Sequence, residues 1–346
     1  MVRKTIITGE LGANHQRDWS VVVDALRAAV NAKVDIIKFQ TYSSETLYCK
    51  NTQNFGIYKN INKLIKDIEL PREWQRDIKE LCDGCGLEFM STPFDERAVD
   101  ELYNLGVKRF KIGGFEATDP RFVRYVAKTK LPIIISAGIG TNVAVVDEII
   151  SWISDENKIA DITILHCNNA YPTPFEDINL LHIRQLREWH YGYDYENIDL
   201  HFGFSDHTLG ILAPPIAVTL GAEYIEKHFT LDRKMKGPDH AFAIEPDELK
   251  QMVENIRITE KMLTHKQQGL TSSEKSFEQA MRSVVSKRAI KAGETLTKEN
   301  ITTKRPFPKN AIPAINFYKV LGKTITCDVD EDTPLKEYMF LDWQAQ

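Results

Sequence analysis

The stretch His201–His240 reads HFGFSDHTLGILAPPIAVTLGAEYIEKHFTLDRKMKGPDH. It parses as two short strands joined by one helix. The first strand, Phe202–Phe204, leads into Ser205, Asp206 and His207. The helix covers Ile211–Leu220 and stops at Gly221. The second strand, Tyr224–Lys227, leads into His228, and Asp239 follows on the next loop. Consecutive parallel strands joined by a helix bring their C-terminal ends side by side. His207 and His228 therefore face a common mouth. Two imidazoles with an open remainder suit a divalent cation that keeps positions for water and substrate. The competing reading is that each histidine only caps its strand by hydrogen bonding.

Outward from this stretch the same unit repeats. Thr5–Gly9 reads as a strand ending at Glu10, with a helix from Asp18 to Ala32. Asp35–Phe39 is a strand that carries Lys38 and is followed by Gln40. An irregular excursion runs from Thr41 to Leu70, and Pro71 starts a helix to Cys85. Leu87–Ser91, Arg109–Gly113, Pro132–Ile135 and Ile162–Cys167 continue the strands. Helices are expected over Glu96–Leu105, after Asp119-Pro120, after Thr141-Asn142 and over Ile178–Trp189. A helix from Glu245-Pro246 to Leu263 closes the series. Eight βα units over about 260 residues argue for a (β/α)8 TIM barrel. No GxGxxG follows the first strand, which speaks against a doubly wound open sheet. The barrel is assigned to residues 1–264 and a polar linker to 265–282. A small β-rich domain takes 283–346, with a strand at Ser283–Ile290, a turn at Gly293 and one helical turn at Leu296–Ile301.

A formal net charge of −5 gives no support for a nucleic-acid surface. No run approaches the roughly 18 apolar residues of a membrane helix, and the N-terminus turns polar too early for a signal peptide. The five cysteines are scattered, which points to reduced thiols and a cytoplasmic protein. Cys82 and Cys85 have CxxC spacing but no second pair, and they are read as incidental.

In a TIM barrel the chemistry sits at the C-terminal ends of the strands. Here those ends carry Glu10, Lys38, Gln40, Thr92, Lys111, Glu116, Ser136, Asn169, Ser205, His207 and His228. A plain barrel core favours Val, Ile and Leu, so polar residues at every end need a reason. Lys38 and Lys111 lie within apolar strands, where an uncompensated ammonium is costly. Either each pairs with Glu10 or Glu116 inside the barrel, or both serve an anionic substrate. Two lysines with Thr92, Ser136, Asn169 and Ser205 suit a phosphate and a carboxylate. Glu10 and Glu116 remain as acid/base candidates. A Schiff-base aldolase using Lys38 or Lys111 is the alternative in the same fold. A non-catalytic carbohydrate- or ice-binding protein built on the C-terminal domain is the alternative of another class.

These residues resemble the sialic acid synthase family, whose members make N-acetylneuraminate, legionaminate or pseudaminate from phosphoenolpyruvate and an amino-sugar aldose. The matching blocks include Glu10–His15 (ELGANH), Ile37–Gln40 (IKFQ), Ser91–Phe94 (STPF), Phe110–Gly113 with Glu116, and Ile135–Gly138 (ISAG). They continue with Leu165–Pro174 (LHCNNAYPTP), Gly203–Thr208 (GFSDHT), Glu226–Phe229 (EKHF) and Gly237–His240 (GPDH). Ile290–Thr297, Lys304–Pro306 and Leu321–Lys323 resemble the family's SAF, or antifreeze-like, domain.

The resemblance implies that His207 and His228 hold Mn2+ or Mg2+, and that Lys38, Thr92, Lys111, Ser136, Asn169 and Ser205 hold phosphoenolpyruvate, with Gln40 beside them. It implies that Glu10, Tyr171 and Asp239 contact the sugar, and that Glu116 handles protons near the attacking water. Arg305 resembles the SAF-domain arginine that reaches the sugar's acyl group in the partner subunit of a domain-swapped homodimer. Two departures stand out. Gly114 occupies a position where the family commonly has Ser, which removes one hydroxyl from the phosphate site. Phe307–Pro313 replaces the usual glycine-rich continuation after Arg305-Pro306. Pro172–Pro174 and Gly237–His240 look more like the neuraminate and legionaminate branches than the pseudaminate branch.

Overall fold

The structure is a computed structural model and describes residues 4–52, 54, 55, 58–190, 197–264, 269–341 and 343. The chain divides into two compact units, residues 1–264 and 265–346.

The first unit is built on eight parallel strands: β1 Ile6–Gly12, β2 Ile36–Thr41, β3 Glu88–Pro93, β4 Phe110–Ile112, β5 Ile133–Ala137, β6 Asp161–Cys167, β7 Asp199–Asp206 and β8 Tyr224–His228. They form one sheet in the order β3-β2-β1-β8-β7-β6-β5-β4. Its two end strands, β3 and β4, pack against each other and close the barrel. Helices cross between the strands on the outside. Their ends follow local chemistry: Asp18, Asp95 and Asn142 cap the helices Trp19–Ala32, Glu96–Leu105 and Val143–Glu156 by accepting from backbone N–H groups. Such caps contribute about 1 kcal/mol each.

Strand residues alternate between two faces. Ile7, Ile37, Phe39, Phe89 and Ile135 face the helices and join the large core. Ile36, Met90, Ile134, Leu165 and Tyr224 form a separate cluster inside the barrel. That inner cluster is the floor under the strand ends.

The excursion between β2 and β3 is not irregular throughout. Asn54–Phe55 pairs with Tyr58–Lys59 as a short hairpin, and Ile61–Ile68 is a helix. Ile61, Leu64, Ile65 and Ile68 repeat at helical spacing and pack with Tyr42 and Phe94. The helix expected from Pro71 begins at Trp74, and the one expected from Ile178 begins at Leu181 after a 3-10 turn at Phe175–Asp177.

In the second unit Ser283–Ser286 pairs antiparallel with Ile301–Lys304. Val284, Ile290, Leu296, Ile301, Ile312, Ile325 and Leu335 form its own core. The single turn expected at Leu296–Ile301 is present as Thr297–Ile301: Ile301 N–H donates to Thr297 O at 3.2 Å, and Thr297 N–H donates to the Asn300 side chain at 2.7 Å. Among the described residues no helix is long and apolar enough to cross a membrane.

Candidate active site

The floor cluster fixes what stands above it. Two residues on from Ile36, Met90, Ile134, Leu165 and Tyr224, on the same faces, come Lys38, Thr92, Ser136, Cys167 and Glu226. Glu10, Lys111 and Ser205 complete this polar layer. One step further stand Gln40, Asn169, His207 and His228. All of them, with Glu116 and Tyr171, line a cavity of about 440 Å3 at the C-terminal ends of the strands. Asp239 lines an adjoining outer cavity, with its Oδ2 3.7 Å from His228 Nδ1. Arg305 belongs to the second unit, exposed just past the strand Ile301–Lys304.

Two carboxylates balance the two lysines. Lys38 Nζ lies 2.6 Å from Glu10 Oε2 and 3.7 Å from Glu226 Oε2, and donates to Thr92 Oγ1 at 3.1 Å. Lys111 pairs with neither glutamate named from the sequence. It donates to both oxygens of Glu226, at 2.7 and 2.9 Å. Ser205 Oγ donates to the same carboxylate at 3.0 Å, and Gln40 Nε2 donates to Glu10 at 2.8 Å. Glu226 is the cavity residue that the sequence reading left out of the site. Its signal was available: it lies two residues before His228 and so shares that residue's face.

Burial and pairing set the protonation states. Burial opposes the Glu226 charge, but Lys111 and Lys38 outweigh it and pull the carboxyl down to about 2. Burial depresses Lys38, yet Glu10 and Glu226 together hold its proton more tightly than usual. For Lys111 burial prevails and its proton is held less tightly than usual. Burial raises Glu10 to about 7 despite Lys38. Glu116 also rises to about 7 through burial, and its Oε2 is buried with no hydrogen-bond partner. A carboxyl poised near neutrality with an open oxygen suits proton transfer.

The two histidines lie with ring centroids 5.4 Å apart. His207 Nδ1–H donates to the Asn168 carbonyl at 2.7 Å, which fixes the tautomer and leaves Nε2 as a lone-pair donor. His228 Nδ1 is buried without a hydrogen-bond partner. Burial pushes His207 down to about 4 and His228 well below its ordinary value, so both are neutral at pH 7. Neutral imidazoles with open nitrogens fit a divalent cation. Among the described residues no three His, Cys, Asp or Glu side chains converge as a ready ligand set. The fit is therefore to a cation that takes two protein ligands and fills its sphere from water and substrate.

Asn169 is seated by close packing. Its Oδ1 accepts from Ile139 N at 2.8 Å. A Cβ on Gly138 would come within 1.9 Å of that oxygen, and one on Gly114 within 2.8 Å. The amide thus occupies the space beside Gly114.

The NeuB family model matches residues 25–268 and the SAF domain model matches 281–341. The chain is 33% identical to an N,N'-diacetyllegionaminic acid synthase of Campylobacter jejuni, over 97% of this chain and 100% of that one. It is 34% identical to a pseudaminic acid synthase of the same species, over 98% of this chain and 97% of that one. The two branches are thus matched at nearly the same identity. Among solved structures, the N-acetylneuraminic acid synthetase of Leptospira borgpetersenii superposes with a TM-score of 0.70 at 30% identity, covering 79% of this chain and 90% of that one. On the family match, the whole-length relatives and the shared barrel, this chain belongs to the NeuB family and carries a C-terminal SAF domain.

Proposed function

We propose that the protein condenses phosphoenolpyruvate with an N-acetylated amino-sugar aldose, giving a nonulosonic acid and phosphate. The observation that carries this reading is the buried layer of Lys38, Lys111, Thr92, Ser136 and Ser205 beneath two neutral histidines, with Asn169 at the level of the histidines. The first set suits a phosphate and a carboxylate, and the second lies where an aldehyde would approach. The relatives named as synthases of legionaminic, pseudaminic and N-acetylneuraminic acids support it.

In this reading the lysines and hydroxyls hold phosphoenolpyruvate and neutralise its charge, which is positioning and electrostatic work. C3 of phosphoenolpyruvate bonds to the aldehyde carbon, and the aldehyde oxygen takes a proton to become a hydroxyl. Positive charge grows at C2. Water adds there, and Glu116 takes the proton that water gives up. Phosphate then leaves by cleavage of its bond to C2, carrying the electron pair, while the new C2 hydroxyl gives up its proton to become the ketone. Glu10, Tyr171 and Asp239 orient the sugar, with Gln40 steadying Glu10.

His207 and His228 hold the cation, Mn2+ or Mg2+. When bound, it supplies polarisation of the aldehyde oxygen. Arg305 acts in a domain-swapped homodimer, serving the sugar bound by the partner subunit. The five unpaired cysteines fit a cytoplasmic setting, where phosphoenolpyruvate is made.

The loosened proton of Lys111 points toward the Schiff-base alternative, but its ion pair to Glu226 opposes it. Lys38 and Lys111 are both ion-paired at 2.6–2.9 Å, whereas an attacking amine must first lose its proton. A purely carbohydrate- or ice-binding role leaves four buried charges in one cavity without a use. The test is phosphate release from phosphoenolpyruvate with and without an amino-sugar aldose and Mn2+. Release only when all three are present supports the reading. Borohydride trapping of a substrate adduct on a lysine would overturn it.

A further inference from the structure

One buried ion pair of the barrel does not line the cavity. Asp206 and Lys227 directly precede His207 and His228, and side chains on a strand alternate between its faces. The histidines line the cavity, so Asp206 and Lys227 point outward to the helices. Phe204 and Ile225, two residues earlier on the same faces, belong to the large core. Hydrocarbon is the expected filling at such positions. Instead, Lys227 Nζ donates to Asp206 Oδ2 at 2.7 Å and to the Thr208 carbonyl. Asp206 Oδ1 accepts from Thr208 N–H at 2.8 Å. All three residues are buried.

The place of the pair in the sheet gives it a use. Asp206 and Lys227 are the last partners in the pairing of β7 with β8, and His207 and His228 come directly after that rung. Lys227 therefore grips the chain on both sides of His207 from the position just before His228. The ring of His207 has a hydrogen bond of its own, to the Asn168 carbonyl at 2.7 Å. His228 Nδ1 has none. Its ring depends on the course of its backbone and on packing against Phe242, with centroids 5.1 Å apart.

A buried ion pair adds little stability over hydrocarbon of the same volume, and its gain is a fixed arrangement. A cation held by two protein ligands cannot gather the rest of its site from the chain. The spacing of the two imidazoles must then be set before the cation arrives. We propose that Lys227, with Asp206 and the Thr208 carbonyl, is a positioning strap that holds His207 and His228 at the spacing that binds the divalent cation. The inference rests on the reading of these two histidines as the cation's ligands.

The test is the Mn2+ affinity of the full-length protein, read from the electron paramagnetic resonance signal of free Mn2+. The melting temperature of the metal-free protein is measured beside it. Lys227→Met alone leaves the Asp206 carboxylate buried and unpaired, so it is combined with Asp206→Asn. Met then fills the volume of the lysine, and Asn keeps an acceptor for Thr208 N–H. The double variant is expected to melt close to the wild type, with its Kd for Mn2+ raised about 10- to 100-fold. Asp206→Asn alone, the milder change, is expected to raise Kd in the same direction by less. Wild-type Mn2+ affinity in the double variant overturns the strap, as does wild-type affinity in Asp206→Asn if the double variant does not fold. His207→Ala separates the strap from the reading beneath it. Weak binding in His207→Ala with wild-type affinity in the double variant overturns the strap alone. Wild-type affinity in His207→Ala overturns the ligand reading and the strap with it.

Discussion

Lys111 gives two hydrogen bonds to Glu226, at 2.7 and 2.9 Å, while Glu116 keeps a buried oxygen without a partner. One glutamate is thereby committed to charge balance and the other is left for proton transfer. Glu226→Gln removes the partner of Lys111 and the secondary partner of Lys38. Breaking a buried pair from one side costs about 3–5 kcal/mol, so the variant should melt well below the wild type. Burial already weakens the hold of Lys111 on its proton. In Glu226→Gln the KM for phosphoenolpyruvate should therefore climb as pH rises, more steeply than in the wild type. Parallel pH profiles for the two proteins would count against this role.

Glu116 gives a pH prediction with a definite sign. Burial raises its carboxyl from 4.5 to about 7, so the native state binds the proton more tightly than the unfolded chain. Its contribution to stability is complete below pH 4.5 and is lost as pH rises to about 7. Glu116→Gln should be more stable than the wild type at pH 8 and should lose less stability between pH 4.5 and 7. Denaturant unfolding at the two ends of that window measures it.

Activity should report the same group from the other side. In the proposed role as acceptor of the water proton Glu116 must be ionised, so kcat should fall as pH drops below about 7. Glu116→Gln should lose about 100-fold or more in kcat and lose that acid limb. A limb that persists in the variant assigns the ionisation to another residue.

Gly114 and Asn169 form a steric pair. Gly114→Ser places a Cβ 2.8 Å from the Asn169 amide and so displaces it from its position over Ile139 N. The expected result is a rise of about 10-fold in KM for phosphoenolpyruvate, the lower range for losing a buried hydrogen bond, with the melting temperature nearly unchanged. A lower KM would show that the added hydroxyl serves the phosphate better than the amide does.

Much of this was legible in the sequence, for identifiable reasons. Strands such as Ile-Ile-Lys38-Phe are continuous apolar runs that a parallel barrel buries on both faces. A lysine inside one is therefore conspicuous. Glu226 was harder because it stands between Ile225 and Lys227, and Lys227 is itself buried against Asp206 at 2.7 Å. A Glu-Lys pair in sequence suggests a mutual partnership, but neighbours on a strand point to opposite faces. The helix Ile61–Ile68 is only eight residues long, yet its apolar spacing of 61, 64, 65 and 68 was present. The hairpin before it has two residues per strand and carries no periodic signal. The outer cavity depends on this excursion folding over the strand ends, which no local pattern states.

The most direct test of the central claim is the fate of the oxygen that bridges C2 and phosphorus in phosphoenolpyruvate. The protein would be given Mn2+, an amino-sugar aldose and phosphoenolpyruvate carrying 18O at that position, with products read by mass spectrometry. Condensation by attack of C3 and loss of phosphate from C2 predicts a nonulosonic acid together with phosphate that carries the label. Unlabelled phosphate, or no nonulosonic acid from folded protein, would contradict it.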